Sequence, residues 1–170
     1  MNIKVHHLLN EQINKEFYSA YLYLDFANHF ESAGLDGFAN WYKIQAREEC
    51  DHAMLFYQYL QNENQRVTLE MINKPQIEAQ GHMDILLAGL EHEKYVTSLI
   101  NDIYSAAYEA RDFRTMQFLD WFVKEQAEEE TNANNLITKM ELFGVDAKGL
   151  YMINQELSAR VYAPPSINLG

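Results

Sequence analysis

Four long stretches of the chain repeat apolar residues in steps of four and three, the spacing of one buried helix face. In the first, over about residues 5–33, the stripe is Leu9, Ile13, Glu16, Ala20, Tyr23 and Ala27. In the second, over about 36–62, it is Phe38, Tyr42, Gln45, Glu49, His52, Phe56 and Tyr59, with Trp41, Ile44, Glu48 and Leu55 alongside. The third, about 81–110, runs through Leu86, Leu90, Glu93, Val96, Ile100, Ile103 and Ala107. The fourth, about 112–143, runs through Leu119, Phe122, Gln126, Glu129, Ala133, Leu136, Met140 and Phe143. A shorter fifth helix is expected over about 147–159, followed by an irregular tail, 160–170, that carries Pro164 and Pro165.

Gly34 and Gly144 suit helix ends, and Asp36 suits a helix start. The pattern breaks from Glu63 to about Gln80, around Asn64, Asn73 and Pro75. Such a connection is long for a bundle. It has the reach to run the full height and set the third helix parallel to the second. The expected fold is all-α: a four-helix bundle with a long crossover between the second and third helices, and a short fifth helix at the C-terminus. With no repeat in the sequence, one domain over residues 1–170 is the simplest count.

Composition narrows the picture. Of 170 residues, 48% are hydrophobic, enough for one substantial core, and only three prolines and seven glycines interrupt it. The net charge of -12 disfavours nucleic acid and anionic membranes as partners and suits cations. A single cysteine, Cys50, rules out a disulfide within the chain and suits a reducing compartment. The N-terminus lacks a signal-like apolar core, and the apolar runs are too short to span a bilayer. A cytoplasmic protein is therefore expected.

Polar groups nevertheless sit inside all four stripes: Glu16, then Glu49 with His52, then Glu93, then Gln126 with Glu129. Each lies near the middle of its helix, so the side chains would meet at one level of the core. Four carboxylates buried together repel one another and pay heavily for lost hydration. One such acid is compatible with a side chain swung to solvent at a bundle edge. Four at one level, with Glu49 and His52 three residues apart on one face, argue for a bound cation instead. No lysine or arginine falls on the inner stripes at this height. Carboxylates with an imidazole suit iron, manganese or zinc, and the set is large enough for two ions with a bridging Glu.

Three segments carry a family resemblance: Asn10-Glu11-Gln12-Ile13-Asn14-Lys15-Glu16-Phe17-Tyr18, Glu48-Glu49-x-x-His52, and Trp121-Phe122-Val123-Lys124-Glu125-Gln126-Ala127-Glu128-Glu129-Glu130. Through them, and over nearly its whole length, the chain resembles the prokaryotic non-haem ferritins. The resemblance implies a ferroxidase centre. In it Glu16 and His52 are terminal ligands of one iron, Glu49 bridges, and Glu93 and Glu129 hold the second iron. Gln126 supports the first iron, and Tyr23 stands beside the centre as a hydrogen-bonding group or electron source. A third iron position is implied at Glu48, Glu125 and Glu128, with Glu129 shared. Trp121 is either a further electron source or an aromatic core residue, and Glu130 is expected to point to solvent.

Departures separate this chain from neighbouring families. Gln126-x-x-Glu129 stands where bacterioferritins and rubrerythrins repeat Glu-x-x-His, and Cys50 stands where bacterioferritins offer a haem-binding methionine. Haem is therefore not expected, and Cys50 reads as a packing residue. The resemblance further implies iron storage as a ferric oxide mineral, with dioxygen or hydrogen peroxide as oxidant. It also implies a homo-oligomeric shell of twenty-four subunits. Two rivals remain from the residues alone: a di-metal oxygenase or peroxidase with an organic substrate, and a non-catalytic cage or helical interaction protein.

Overall fold

The computed structural model of the chain describes residues 1–77, 79–167 and 169. Its elements are α1 (Ile3–Ser32), α2 (Asp36–Asn62), α3 (His82–Glu109), α4 (Phe113–Phe143) and α5 (Ala147–Leu157), with no strand among the described residues. The fold is the expected all-α bundle with a short fifth helix.

Side-chain contacts fix the directions. Lys4 meets Glu109, Ser19 meets His92 and His29 meets His82, so α1 and α3 run antiparallel. Thr97 with Glu130, and Tyr104 with Asp120, set α3 against α4 in the same sense. The crossover climbs α1 on a ladder of polar side chains. His6 meets the Arg66 carbonyl, Asn10 brackets Thr68 through both its backbone groups, and Asn14 donates to the Glu70 and Met71 carbonyls. Four residues of helix rise about as far as two residues of extended chain, so the two keep register. The crossover thus delivers α3 at the far end, parallel to α2.

Three helices end alike. Past α1, Gly34 takes φ +73°, the Leu35 N–H bonds the Phe30 carbonyl at 2.9 Å, and the Gly34 N–H bonds the Glu31 carbonyl. The same pair of bonds follows α2 at Asn64 (φ 54°) and α3 at Arg111 (φ 53°). This left-handed cap satisfies carbonyls that a helix end leaves open. Glycine meets it without strain and asparagine with little, whereas Arg111 adopts it despite its Cβ. Asp36 is not the cap of α2; it is the first helical residue and Leu35 stands before it without a side-chain bond. The cap comes from α5 instead, where Asn154 Oδ1 accepts from the Gly37 and Phe38 N–H groups at 2.8 and 3.2 Å. Gly37 is required there, because a Cβ would lie 1.7 Å from the Asn154 carbonyl oxygen.

Every residue of the first three stripes is buried. On the fourth, Ala133 is half-buried and Phe143 is 56% exposed. The core has two apolar halves. One surrounds Phe26, Phe30 and Phe38, the other Phe56, Phe118 and Phe122. Between them lies a layer of buried polar side chains. Each buried Leu or Phe in these halves contributes roughly 1.5–3 kcal/mol.

Candidate metal centre

The layer is built from all four long helices. Glu16 on α1, Glu49 and His52 on α2, Glu93 on α3, and Gln126 and Glu129 on α4 are all buried. Ligand atoms of Glu16, Glu49 and His52 lie within 4.8 Å of one another. His52 Nδ1 stands 3.3 Å from Glu49 Oε2, as expected of residues three apart on a helix. Its ring is wedged edge-on against Trp121 and Phe122, with centroids 5.5 and 5.8 Å away.

Glu16 is the least satisfied acid of the group. Gln12 Nε2, one turn earlier, donates to its Oε1 at 2.8 Å. Its Oε2 is buried and has no hydrogen-bond partner. A buried acceptor left unmade costs about 1–3 kcal/mol, more when charged. A cation at that oxygen removes the cost, and the carboxylate–imidazole donor set suits a divalent transition metal.

Glu93 and Glu129 are held differently. The Tyr23 hydroxyl donates to Glu93 Oε1, and Gln126 Nε2 reaches Glu93 Oε2 at 3.1 Å and the Glu93 carbonyl at 3.3 Å. Gln45 Nε2 donates to Glu129 Oε2 at 2.6 Å. These donors come from three helices and stitch the layer across the bundle.

The electrostatics follow from crowding. Burial pushes the Glu16 carboxyl well above its ordinary range, and the charge of Glu49 adds to the push. Burial and then Glu93 do the same for Glu49, and burial followed by Glu93 and Glu49 for Glu129. Glu93 is also raised by burial, opposed by the bonds from Tyr23 and Gln126. Tyr23 is pushed far up by burial and by Glu93, so it stays a neutral phenol and a donor. Burial and mutual repulsion thus favour the neutral form of these acids when no cation is bound.

Outside this layer the outcome is mixed. Among the described residues Glu48, Glu125 and Glu128 do not form a ligand-spaced cluster like that of Glu16, Glu49 and His52, although the charge of Glu125 acts on Glu48. Glu48 is half-buried and accepts from Arg160 Nη2 at 2.6 Å. The inner stripes indeed carry no basic residue at this height, but a guanidinium arrives from beyond α5. Glu125 is half-buried, with its carboxyl raised by burial, and Glu128 is exposed. Glu130 does not simply point to solvent: it is half-buried and accepts from Thr97 Oγ1 at 2.6 Å. Cys50 is exposed rather than packed. It follows Glu49 by one residue, and a helix turns about 100° in that step.

Four contributors escaped the sequence reading: Gln12, Gln45, Thr97 and Arg160. For two a signal was present. Gln12 precedes Glu16 and Gln45 precedes Glu49 by one helical turn, placing an amide beside each acid. Nothing local marked Arg160.

Comparison with known proteins agrees with this architecture. A family profile described as a ferritin-like domain matches residues 6–143. A bacterial non-heme ferritin of Campylobacter jejuni is 36% identical over 148 residues, covering 87% of this chain and 89% of its own. A probable bacterial non-heme ferritin-like protein of Haemophilus influenzae is 34% identical over 150 residues, covering 88% and 91%. Among solved structures, an open-pore ferritin from the hyperthermophilic archaeon Archaeoglobus fulgidus superposes with a TM-score of 0.92 at 39% identity, covering 95% of this chain and 99% of that one. A humanized archaeal ferritin gives 0.94 at 40% identity, covering 96% and 99%.

Proposed function

The chain belongs to the ferritin family, and from that premise we propose how its residues work. It is an iron-storage protein with ferroxidase activity. It oxidises Fe(II) to Fe(III) with dioxygen or hydrogen peroxide and stores the product as a ferric oxide mineral inside a protein cage. The observation that carries the reading is the buried Glu16–Glu49–His52 set, whose Glu16 Oε2 lacks any donor.

In this reading Glu16 and His52 are terminal ligands of one ferrous ion. Glu49 bridges to a second, which Glu93 and Glu129 hold. Gln126 and Tyr23 keep Glu93 aligned until metal arrives, and Tyr23 is placed to pass an electron. Two ferrous ions give up two electrons, enough to take dioxygen to hydrogen peroxide or hydrogen peroxide to water. The protein supplies position, negative charge and exclusion of bulk water, while the redox change belongs to iron. Glu48, Glu125 and Glu128, with Glu129 shared, form a third iron position outside the pair. Tyr21, Leu24, Leu69 and Met71 are exposed large apolar side chains. They support burial against further copies in a shell of twenty-four subunits. No described helix is long and apolar enough to cross a membrane. A single domain acting in the cytoplasm accords with this and with the lone cysteine.

A di-metal enzyme acting on an organic substrate would need room beside the metals. The pocket next to Glu93 and Glu129, lined also by Tyr23 and Tyr42, measures about 20 Å³, space for roughly one water. That favours small diatomic or peroxide oxidants. Stopped-flow absorbance after Fe(II) addition in air tests the reading. Glu49→Ala should slow the rapid oxidation on the order of 100-fold. An unchanged rate places the chemistry elsewhere, and iron retained only at about two ions per chain would favour the organic-substrate enzyme.

A further inference from the structure

Beyond α5 the chain turns back and lies along α2. The Leu157 and Arg160 carbonyls accept from Asn40 Nδ2 at 3.3 and 3.1 Å. The Tyr162 hydroxyl donates to Asp51 at 2.6 Å, and its ring lies 3.5 Å from the Arg47 guanidinium. Trp121 Nε1 on α4 donates to Ser166 Oγ at 3.3 Å, and Asn62 Nδ2 donates to the Leu169 carbonyl at 3.2 Å. This segment is therefore a strap from the α5 end of the bundle to the far end of α2, bonded at one point to α4.

Arg160 is its anchor. Its guanidinium lies 4.1 Å over the Trp41 ring and donates to the Trp41 carbonyl at 3.3 Å, to Gln45 Oε1 at 2.9 Å and to Glu48 Oε2 at 2.6 Å. Only 17% of the Arg160 side chain and 18% of that of Glu48 are exposed. A mobile surface pair would not make four contacts at once. By taking Gln45 Oε1, Arg160 also turns the amide N–H of Gln45 onto Glu129. The guanidinium thereby reaches the metal layer through one side chain. It sits on the carboxylate next in sequence to Glu49.

We propose that Arg160 is a positioning residue that satisfies Glu48 with the chain's own cation and so keeps this carboxylate from binding metal. The proposal rests on the di-iron reading above. Glu48 is not an idle ligand in it; a planar fork that matches a carboxylate already satisfies it. Metal at Glu48 must displace that fork, so Glu48 takes metal only when the guanidinium is removed.

Anaerobic Fe(II) titration of the assembled full-length protein, read by isothermal calorimetry, tests this. The native protein should bind about two ions per chain, and Arg160→Gln about three, with Gln45 and Glu129 loosened. Adding Glu48→Gln to Arg160→Gln should return the count to about two. Glu48→Gln alone should leave the native count unchanged, which keeps the test decisive if Arg160→Gln does not fold. A native count of three, an Arg160→Gln count of two, or a third ion that survives loss of Glu48 overturns the proposal. A native count below two instead strikes the di-iron reading itself.

Discussion

Around Glu93 and Glu129 each carboxylate is met by donors from its own chain, while around Glu16 and Glu49 one buried oxygen is met by none. The donors in the first half are a phenol and two amides, neutral groups that hold an acid in place without cancelling its charge. In the second half Gln12 and the adjacent imidazole help, and Glu16 Oε2 is left without a partner. The comparison teaches that the two halves wait for metal differently. One is prefilled with placeholders that a cation must share with or displace. The other is left short and gains most when a cation arrives. The Glu16–His52 side should therefore fill first.

The largest effect that can break this comparison is on affinity. With redox-inert Zn(II), Glu16→Gln should weaken the tighter site by about 100-fold, whereas Glu129→Gln should cost about tenfold at the weaker one. Calorimetric titrations with equal losses would erase the distinction between the halves.

Next comes the dependence of metal-free stability on pH. Folding raises the carboxyls of Glu16, Glu49, Glu93 and Glu129 above their ordinary value of 4.5. Above that value the folded chain binds more protons than the unfolded one. The stability these groups contribute is therefore fully present below about pH 4.5 and is lost as pH rises through their folded values. Each fully titrating group contributes about 1.4 kcal/mol per pH unit. Urea unfolding of the metal-free protein at a series of pH values should show this downward slope. Glu16→Gln should flatten it more than Glu93→Gln, and Zn(II) should abolish most of it in the native chain. A slope that rises with pH would show that the acids are not buried as described.

The smallest effect concerns the placeholder. Tyr23→Phe removes the hydroxyl that donates to Glu93. The metal-free protein should lose about 1–3 kcal/mol, the cost of an unmade buried bond. With Zn(II) bound the deficit should shrink, since the cation takes over Glu93. Thermal melting with and without metal checks this. An equal deficit in both states would mean that the hydroxyl is structural and no placeholder.

Much of the fold was legible because helix burial repeats at a fixed period. Leu9 through Ala27, Phe38 through Tyr59 and Leu86 through Ala107 announce themselves by spacing alone. The common height of Glu16, Glu49, Glu93 and Glu129 was legible for the same reason, since counting along a helix measures distance. What the sequence hid depends on contacts between distant parts. Asp36 looked like a cap, but Asn154 took that role by bonding Gly37 from 117 positions away along the chain. Glu48 read as a ligand of a third iron, but Arg160 reached it from the tail. Glu130 found Thr97 on another helix, and Cys50 turned outward by a single step of helix rotation. Such partners are chosen by the arrangement of helices, which no local pattern encodes.

The division of the core into two apolar halves has an evolutionary consequence. Apolar side chains do not form one continuous core from end to end of the bundle; the polar layer divides them. Phe30 and Phe118 belong to different halves, so substitutions at the two ends should combine additively. Each end can drift to suit new neighbours while the middle is held by chemistry that tolerates little change. Lineages built on this plan can diversify at their ends without re-solving the problem at their centre.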